Sequence, residues 1–169
     1  MNWSYLESDP AMRLWTAAVA RFGLDIPEGA SVLELGCAET DWLERMQAQN
    51  PSFTLTGLDC HPQVRRDFPV RVGDACDPAA LPLASFDWIV LLSALEHFGL
   101  GFYGDPVHTD RWGAPNGDVR AMVNIARWLK PGGSVYFDVP CNPQGCIKEN
   151  RHFRVFSPED VTNRLLLTS

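Results

Sequence analysis

The stretch Val32-Leu33-Glu34-Leu35-Gly36-Cys37-Ala38-Glu39-Thr40-Asp41 carries an apolar run into an acid and a glycine, and a helix-type pattern opens a few residues later. That order predicts strand, tight turn and helix, the arrangement by which an α/β protein turns backbone N–H groups towards a ligand. A second apolar run, Phe53-Thr54-Leu55-Thr56-Gly57-Leu58, ends in Asp59. An acid at the tip of a second strand can accept two ribose hydroxyls, so the two runs together point to a nucleoside-containing cofactor. A dinucleotide would want Gly-x-Gly-x-x-Gly to seat its pyrophosphate. Here Gly36 is followed by Ala38 and Thr40 at the alternate positions, which argues against a pyrophosphate loop.

Further along, Val70-Arg71-Val72 reads as a short third strand ending at Gly73-Asp74, Phe86 to Leu91 as a fourth, and Ser134 to Val139 as a fifth. Helices are expected over residues 9–23, capped by Asp9-Pro10, and over residues 41–49, stopped by Asn50-Pro51. A third is expected from Asp118 as N-cap, with Val119, Met122, Ala126 and Leu129 on one face, and a last one starts at Ser157-Pro158-Glu159-Asp160. Residues 99–117 hold five glycines and two prolines and read as a surface lid or loop, a length usually tied to function. Strands alternating with helices predict a parallel, doubly wound sheet with right-handed crossovers.

With 169 residues, 46% hydrophobic and 21% charged, the chain reads as one ordinary globular domain. It has no apolar run long enough to span a membrane and no secretory start, and five cysteines without a Cys-x-x-Cys pair suit a reduced, cytoplasmic setting. A net charge of −7 with no basic block disfavours nucleic acid as a partner. Cys141, Cys146 and His152 lack a fourth ligand at sensible spacing, so no metal is expected, and His108 is expected to be solvated.

The Glu34-x-Gly36-x-Ala38 pattern, Gly-Leu-Asp59, Val-Gly-Asp74-Ala75, Phe86-Asp87-Trp88-Ile89-Val90 and Leu129-Lys130-Pro131-Gly132-Gly133, in that order over roughly residues 30–140, resemble class I S-adenosylmethionine-dependent methyltransferases. The stretch Ser93 to Gly101, with Tyr103-Gly104-Asp105-Pro106, is similar to a poorly characterised subgroup of type 11-like members. The resemblance implies a Rossmann-like, mostly parallel α/β sheet of strand order 3-2-1-4-5 with S-adenosyl-L-methionine at the carboxyl ends of the strands. It implies that Glu34, Gly36, Cys37 and Ala38 meet the methionine moiety, that Asp59 and Cys60 border the ribose, and that Asp74 accepts from the adenine amino group beside the Ala75 N–H. Ser93 would border the cofactor, and Glu96-His97 would face the reacting methyl as catalytic residues, under a lid over a small-molecule or glycan-type acceptor. Thr40 stands where the family usually has glycine. The family's sixth and seventh strands have no room here, which suggests truncation or a fifth-strand edge covered by a second copy or a partner chain.

Plainer readings stand beside these. Asp74 can simply cap a turn, Glu96 can pair with a cation, and His97 can pack under the lid. Lys148, Arg151, His152 and Arg154 form a small basic cluster that can hold an anionic acceptor or pair with the surplus acids. Pro140-Cys141 follows the fifth strand, whereas a cytosine-methylating nucleophile belongs after the fourth; the aromatic Pro-Pro motif of amino-methylating DNA enzymes is absent. An NAD(P)-linked oxidoreductase lacks its phosphate loop. An inactive methyltransferase-like binding or assembly module remains the alternative to an enzyme.

Overall fold

The computed structural model describes residues 26–38, 42–49, 51–62, 66–142, 148–149 and 152–166, with Trp42, Met46, Gln49, Lys148 and Glu149 through their backbone only. The helix expected over residues 9–23, together with Thr40, Cys146 and Arg151, lies outside the described residues. Strands β1 (Ser31–Leu35), β2 (Thr54–Asp59), β3 (Val70–Val72), β4 (Phe86–Leu91) and β5 (Leu129–Phe137) form one sheet in the order 3-2-1-4-5. Every neighbouring pair is parallel, as the alternation of elements requires.

The side-chain period of two sorts the strands onto two cores. Leu33 and Leu35 of β1 and Ile89 and Leu91 of β4 pack with Met122, Ile125 and Trp128 of helix α2 (Gly117–Trp128). Val32 and Val90 face the other way, against Leu43 of α1 (Trp42–Gln49), Phe53 and Leu55. Burial on both faces explains why the central strands are apolar without alternation. The sheet switches direction between β1 and β4, and ligands of such sheets bind outside the carboxyl ends at that point.

Two local expectations are corrected. Asp118 does not cap α2: Asn116 holds the cap position, and the buried Asp118 carboxylate accepts from Arg164 Nε at 2.7 Å and Nη2 at 2.8 Å, with Arg154 Nε 3.7 Å away. Drawing that acid inward turns Ala121, Met122, Ile125 and Trp128 to the core and leaves Ala126 exposed. The fifth strand begins at Leu129, opposite Phe86, and resumes at Ser134, opposite Trp88, with Lys130 to Gly133 bulged between them. A glycine at φ +80°, Gly132, permits that bulge.

Beyond β5 the chain makes a short antiparallel pair, β6 (Lys148–Glu149) and β7 (Arg154–Val155), separate from the main sheet. Phe156 then returns beside Cys141: its N–H donates to the Pro140 carbonyl at 2.9 Å, and the Phe156 carbonyl accepts from Asn142 N–H at 2.7 Å. The chain itself therefore meets the upper end of the β5 edge. Lower down, no strand lies outside β5 among the described residues. Ser157 and Asp160 form a reciprocal cap for α3 (Pro158–Asp160), which continues in π-helical form from Val161 to Leu166.

Candidate active site

At the end of β1, Gly36 adopts φ +72°, and a Cβ there would lie 2.6 Å from the Ala94 methyl, so both conformation and space demand glycine. Glu34 is buried at the same strand end. Asp59, buried at the end of β2, accepts from Ala38 N–H at 2.9 Å and from His61 N–H at 2.8 Å, one to each oxygen. Each oxygen keeps a second lone pair for a hydroxyl donor. Arg66 secures the turn from behind: its Nε and Nη2 donate to the Cys37 carbonyl at 2.8 and 2.5 Å, and its Nη1 lies 3.3 Å from Glu44. The sequence reading missed Arg66, since no local pattern marks it.

Cys37 does not offer its thiol to the site. Its sulfur fills space in the core, 2.7 Å from where a Cβ on Gly57 would stand. Burial first, then the charges of Glu34 and Asp59, push the thiol up to about 12. Cys60 is similar, raised by burial and then Asp59 to about 11. Neither is a nucleophile at neutral pH.

After β3, Asp74 Oδ1 accepts from Cys76 N–H at 2.8 Å, the turn-capping role. Its Oδ2 lies 2.6 Å from His108 Nε2, so His108 is not the solvated lid residue expected but is partly buried against this carboxylate. Asn124 Nδ2 donates to the Ala75 carbonyl at 2.9 Å, and the Cys76 thiol donates to the Gly117 carbonyl at 3.2 Å. Asp74, Cys76 and His108 bring an oxygen, a sulfur and a nitrogen within 4.8 Å of one another. Two ligands of tetrahedral zinc stand about 3.3 Å apart, so the shorter Asp74–His108 contact is a hydrogen bond in this arrangement. Burial, with Asp74 beside it, holds the Cys76 thiol protonated.

Just past β4, Ser93 has φ +49°, a strained setting for a side chain, held by its N–H to Asp138 Oδ1 at 2.5 Å and its hydroxyl to Glu96 Oε1 at 2.6 Å. Glu96 is 1% exposed, and its Oε2 has no hydrogen-bond partner among the described residues. Burial raises its carboxyl above the ordinary range, against the lowering effect of Ser93. His97 Nδ1 lies 2.5 Å from the His152 carbonyl. A carbonyl only accepts, so Nδ1 carries the proton, and the neutral ring has its lone pair on Nε2, 3.9 Å from Glu96 Oε1. Tyr103 and Phe153 meet the His97 ring edge-on, with centroids 5.1 and 6.3 Å away.

Residues 99–117, the expected lid, are held by internal contacts. Gly99 and Gly117 cross so closely that a Cβ on Gly99 would lie 2.7 Å from the Gly117 Cα. Asp105 Oδ2 accepts from Gly99 and Gly101 N–H at 2.8 and 3.2 Å, and Thr109 bridges to Pro115. Of the basic cluster, the side chains of His152 and Arg154 are described, and they go different ways: Arg154 is fully buried against Asp118, with Nη1 donating to the Phe98 carbonyl at 2.8 Å, while the His152 ring stacks on Phe102 at 3.8 Å. Pairing with the chain's own acids is what Arg154 does.

The other end of the sheet carries a different cluster. Asp87 Oδ2 accepts from Ser31 N–H at 2.8 Å, the Ser31 hydroxyl at 2.7 Å and Lys130 Nζ at 2.8 Å. These bonds, Lys130's foremost, lower its carboxyl to about 2. Two of the five motif pieces, at Asp87 and Lys130, thus clip β1, β4 and the β5 bulge together at the amino ends of the strands.

A family model for the methyltransferase domain matches residues 5–166. The chain belongs to that family. No curated protein sequence matches it. Among solved structures, this methyltransferase domain is similar to an S-adenosylmethionine-dependent methyltransferase from Archaeoglobus fulgidus, with 18% identity, 93% of this chain and 68% of that one covered, and TM-score 0.62. It is also similar to the N-methyltransferase NodS from Bradyrhizobium japonicum, solved with S-adenosyl-L-homocysteine (21% identity, 79% and 64% covered, TM-score 0.54). A Haloferax volcanii complex containing the Trm112 methyltransferase activator gives 23% identity, 83% and 60% covered, and TM-score 0.52. The chain therefore spans under two thirds of the length of the rhizobial and haloarchaeal proteins. At these identities the likeness is one of fold.

Proposed function

We propose that this methyltransferase domain transfers the methyl group of S-adenosyl-L-methionine to a small-molecule or glycan-type acceptor by in-line displacement. The observation that carries the reading is the gathering of three buried carboxylates, Glu34, Asp59 and Glu96, at or just beyond the carboxyl ends of β1, β2 and β4, around a one-glycine turn. Such a mouth repels a pyrophosphate and suits a ligand that brings positive charge and hydroxyl donors, as a sulfonium nucleoside does. In this reading Glu34 and the main chain of Gly36, Cys37 and Ala38 hold the methionine part, and Asp59 beside Cys60 takes the ribose. Asp74 and Ala75 face the adenine, and Ser93 borders the cofactor.

The acceptor atom attacks the methyl carbon as the carbon–sulfur bond breaks, its electron pair staying on sulfur, so a neutral thioether leaves. Holding three atoms in line supplies much of the rate. A hydroxyl acceptor also sheds a proton, which Nε2 of His97 receives, with Glu96 beside it. We take residues 1–169 as one such domain. We place it in the cytoplasm, where the free cysteines 37, 60, 76 and 141 stay reduced; among the described residues no helix is long and apolar enough to cross a membrane. The lower β5 edge is where a second copy or a partner chain would pair.

Titration calorimetry with S-adenosylmethionine and S-adenosylhomocysteine tests the cofactor, and methyl transfer to a panel of hydroxyl and amine acceptors tests the chemistry. No binding of either compound removes the reading. Binding with no transfer to any acceptor leaves the binding-module alternative.

A further inference from the structure

The lid meets the cofactor end of the site through His108. Its backbone is pinned at both stems, its N–H donating to the Gly99 carbonyl at 3.0 Å and its carbonyl accepting from Asn116 N–H at 3.0 Å. The imidazole is thereby delivered to Asp74, with Nε2 2.6 Å from Oδ2. A carboxylate has no proton to give at neutral pH, so His108 Nε2 is the donor. The other oxygen is held by Cys76 N–H, and the loop below by Asn124 on the Ala75 carbonyl. Asp74 is therefore gripped at both oxygens by donors from two elements.

We propose that His108 is a positioning residue for purine recognition: by fixing the Asp74 carboxylate, it makes the site select a 6-amino purine over a 6-oxo purine. This rests on the cofactor reading above. An exposed carboxylate that rotates freely accepts a donor in many directions and discriminates weakly. Locked by two donors, its remaining lone pairs point in fixed directions, and both are acceptors only. An exocyclic amino group satisfies them; an exocyclic oxygen placed there would set acceptor against acceptor and leave a partly buried charge without its donor. The lid then acts at the nucleoside as well as over the acceptor, and the second partner of the adenine loop comes from 34 residues away in the chain.

The test measures, for the full chain, the affinities of S-adenosylhomocysteine and S-inosylhomocysteine, in which an oxygen replaces the exocyclic amino group and the neighbouring ring nitrogen N1 carries a proton. Wild type should prefer the adenosyl compound by roughly 10–100-fold, the range of one hydrogen bond to a charged group. His108→Ala should cut the preference to a few-fold, with the inosyl affinity little changed, and His108→Gln, which keeps a donor, should restore part of it. Asp74→Asn, which can donate to the oxo group, should level or invert it. The ratio separates positioning from a general loss of fold, which would weaken both ligands equally. A preference unchanged in His108→Ala, equal weakening of both ligands in His108→Ala and His108→Gln, or equal affinity of wild type for the two overturns the proposal and leaves the cofactor reading intact. Binding of neither by wild type overturns both.

Discussion

The two ends of the sheet handle carboxylates in opposite ways. At the amino end, Asp87 is met by Lys130 and twice by Ser31, and its carboxyl is lowered to about 2. At the carboxyl end, Glu96 is sealed from solvent with one oxygen unpartnered among the described residues, and its carboxyl is raised. An acid already paired with its own cation and hydroxyl ties strands together. A buried acid with unused hydrogen-bonding capacity costs stability and stays available to a ligand. The difference is the ground on which we place function at the carboxyl end of the sheet.

Substitutions should separate the ends. The largest effect is expected at His97: if its Nε2 takes the acceptor's proton, His97→Ala lowers turnover by about 10²–10⁴-fold and leaves calorimetric cofactor affinity nearly unchanged. Equal rates would make positioning the whole of the catalysis. Asp59→Ala comes next, weakening S-adenosylhomocysteine by roughly tenfold or more, as for a lost charge-assisted bond; unchanged affinity would remove the ribose assignment. Lys130→Ala, at the other end, should lower unfolding free energy by only about 0.5–1 kcal/mol, because that ion pair is largely solvated, with no change in ligand affinity. A loss of binding there would break the distinction.

The finest effect is one of sign, read from urea midpoints across acidic to neutral pH. Asp87 is lowered from 3.8 to about 2, so the stability it contributes is complete above 3.8 and lost as pH falls through 2; Asp87→Asn should flatten that acid-side loss. Glu96 is raised from 4.5, so the fold holds its proton more tightly than the unfolded chain. Its contribution is greatest below 4.5 and declines as pH rises above it, and Glu96→Gln should be more stable than wild type at neutral pH. Slopes of the same sign at the two residues would contradict the contrast.

The strands themselves, the Gly36 turn and the placing of Glu34, Asp59 and Glu96-His97 at one end were legible in the chain because each depends on local pattern: an apolar run, its period, and the residue that ends it; the order of the strands in the sheet came from the family resemblance. The phase of α2 was not, since Asp118 looks like a cap until Arg154 and Arg164 arrive from elsewhere in the chain to claim it. Nor was the tautomer of His97, which depends on the His152 carbonyl, nor the partner of Asp74, which the 99–117 loop supplies. Local composition encodes which way a strand faces and where it stops. The partner of a buried polar group is chosen by packing between distant segments, because desolvation forces each such group to find whatever donor or acceptor the fold brings within about 3 Å.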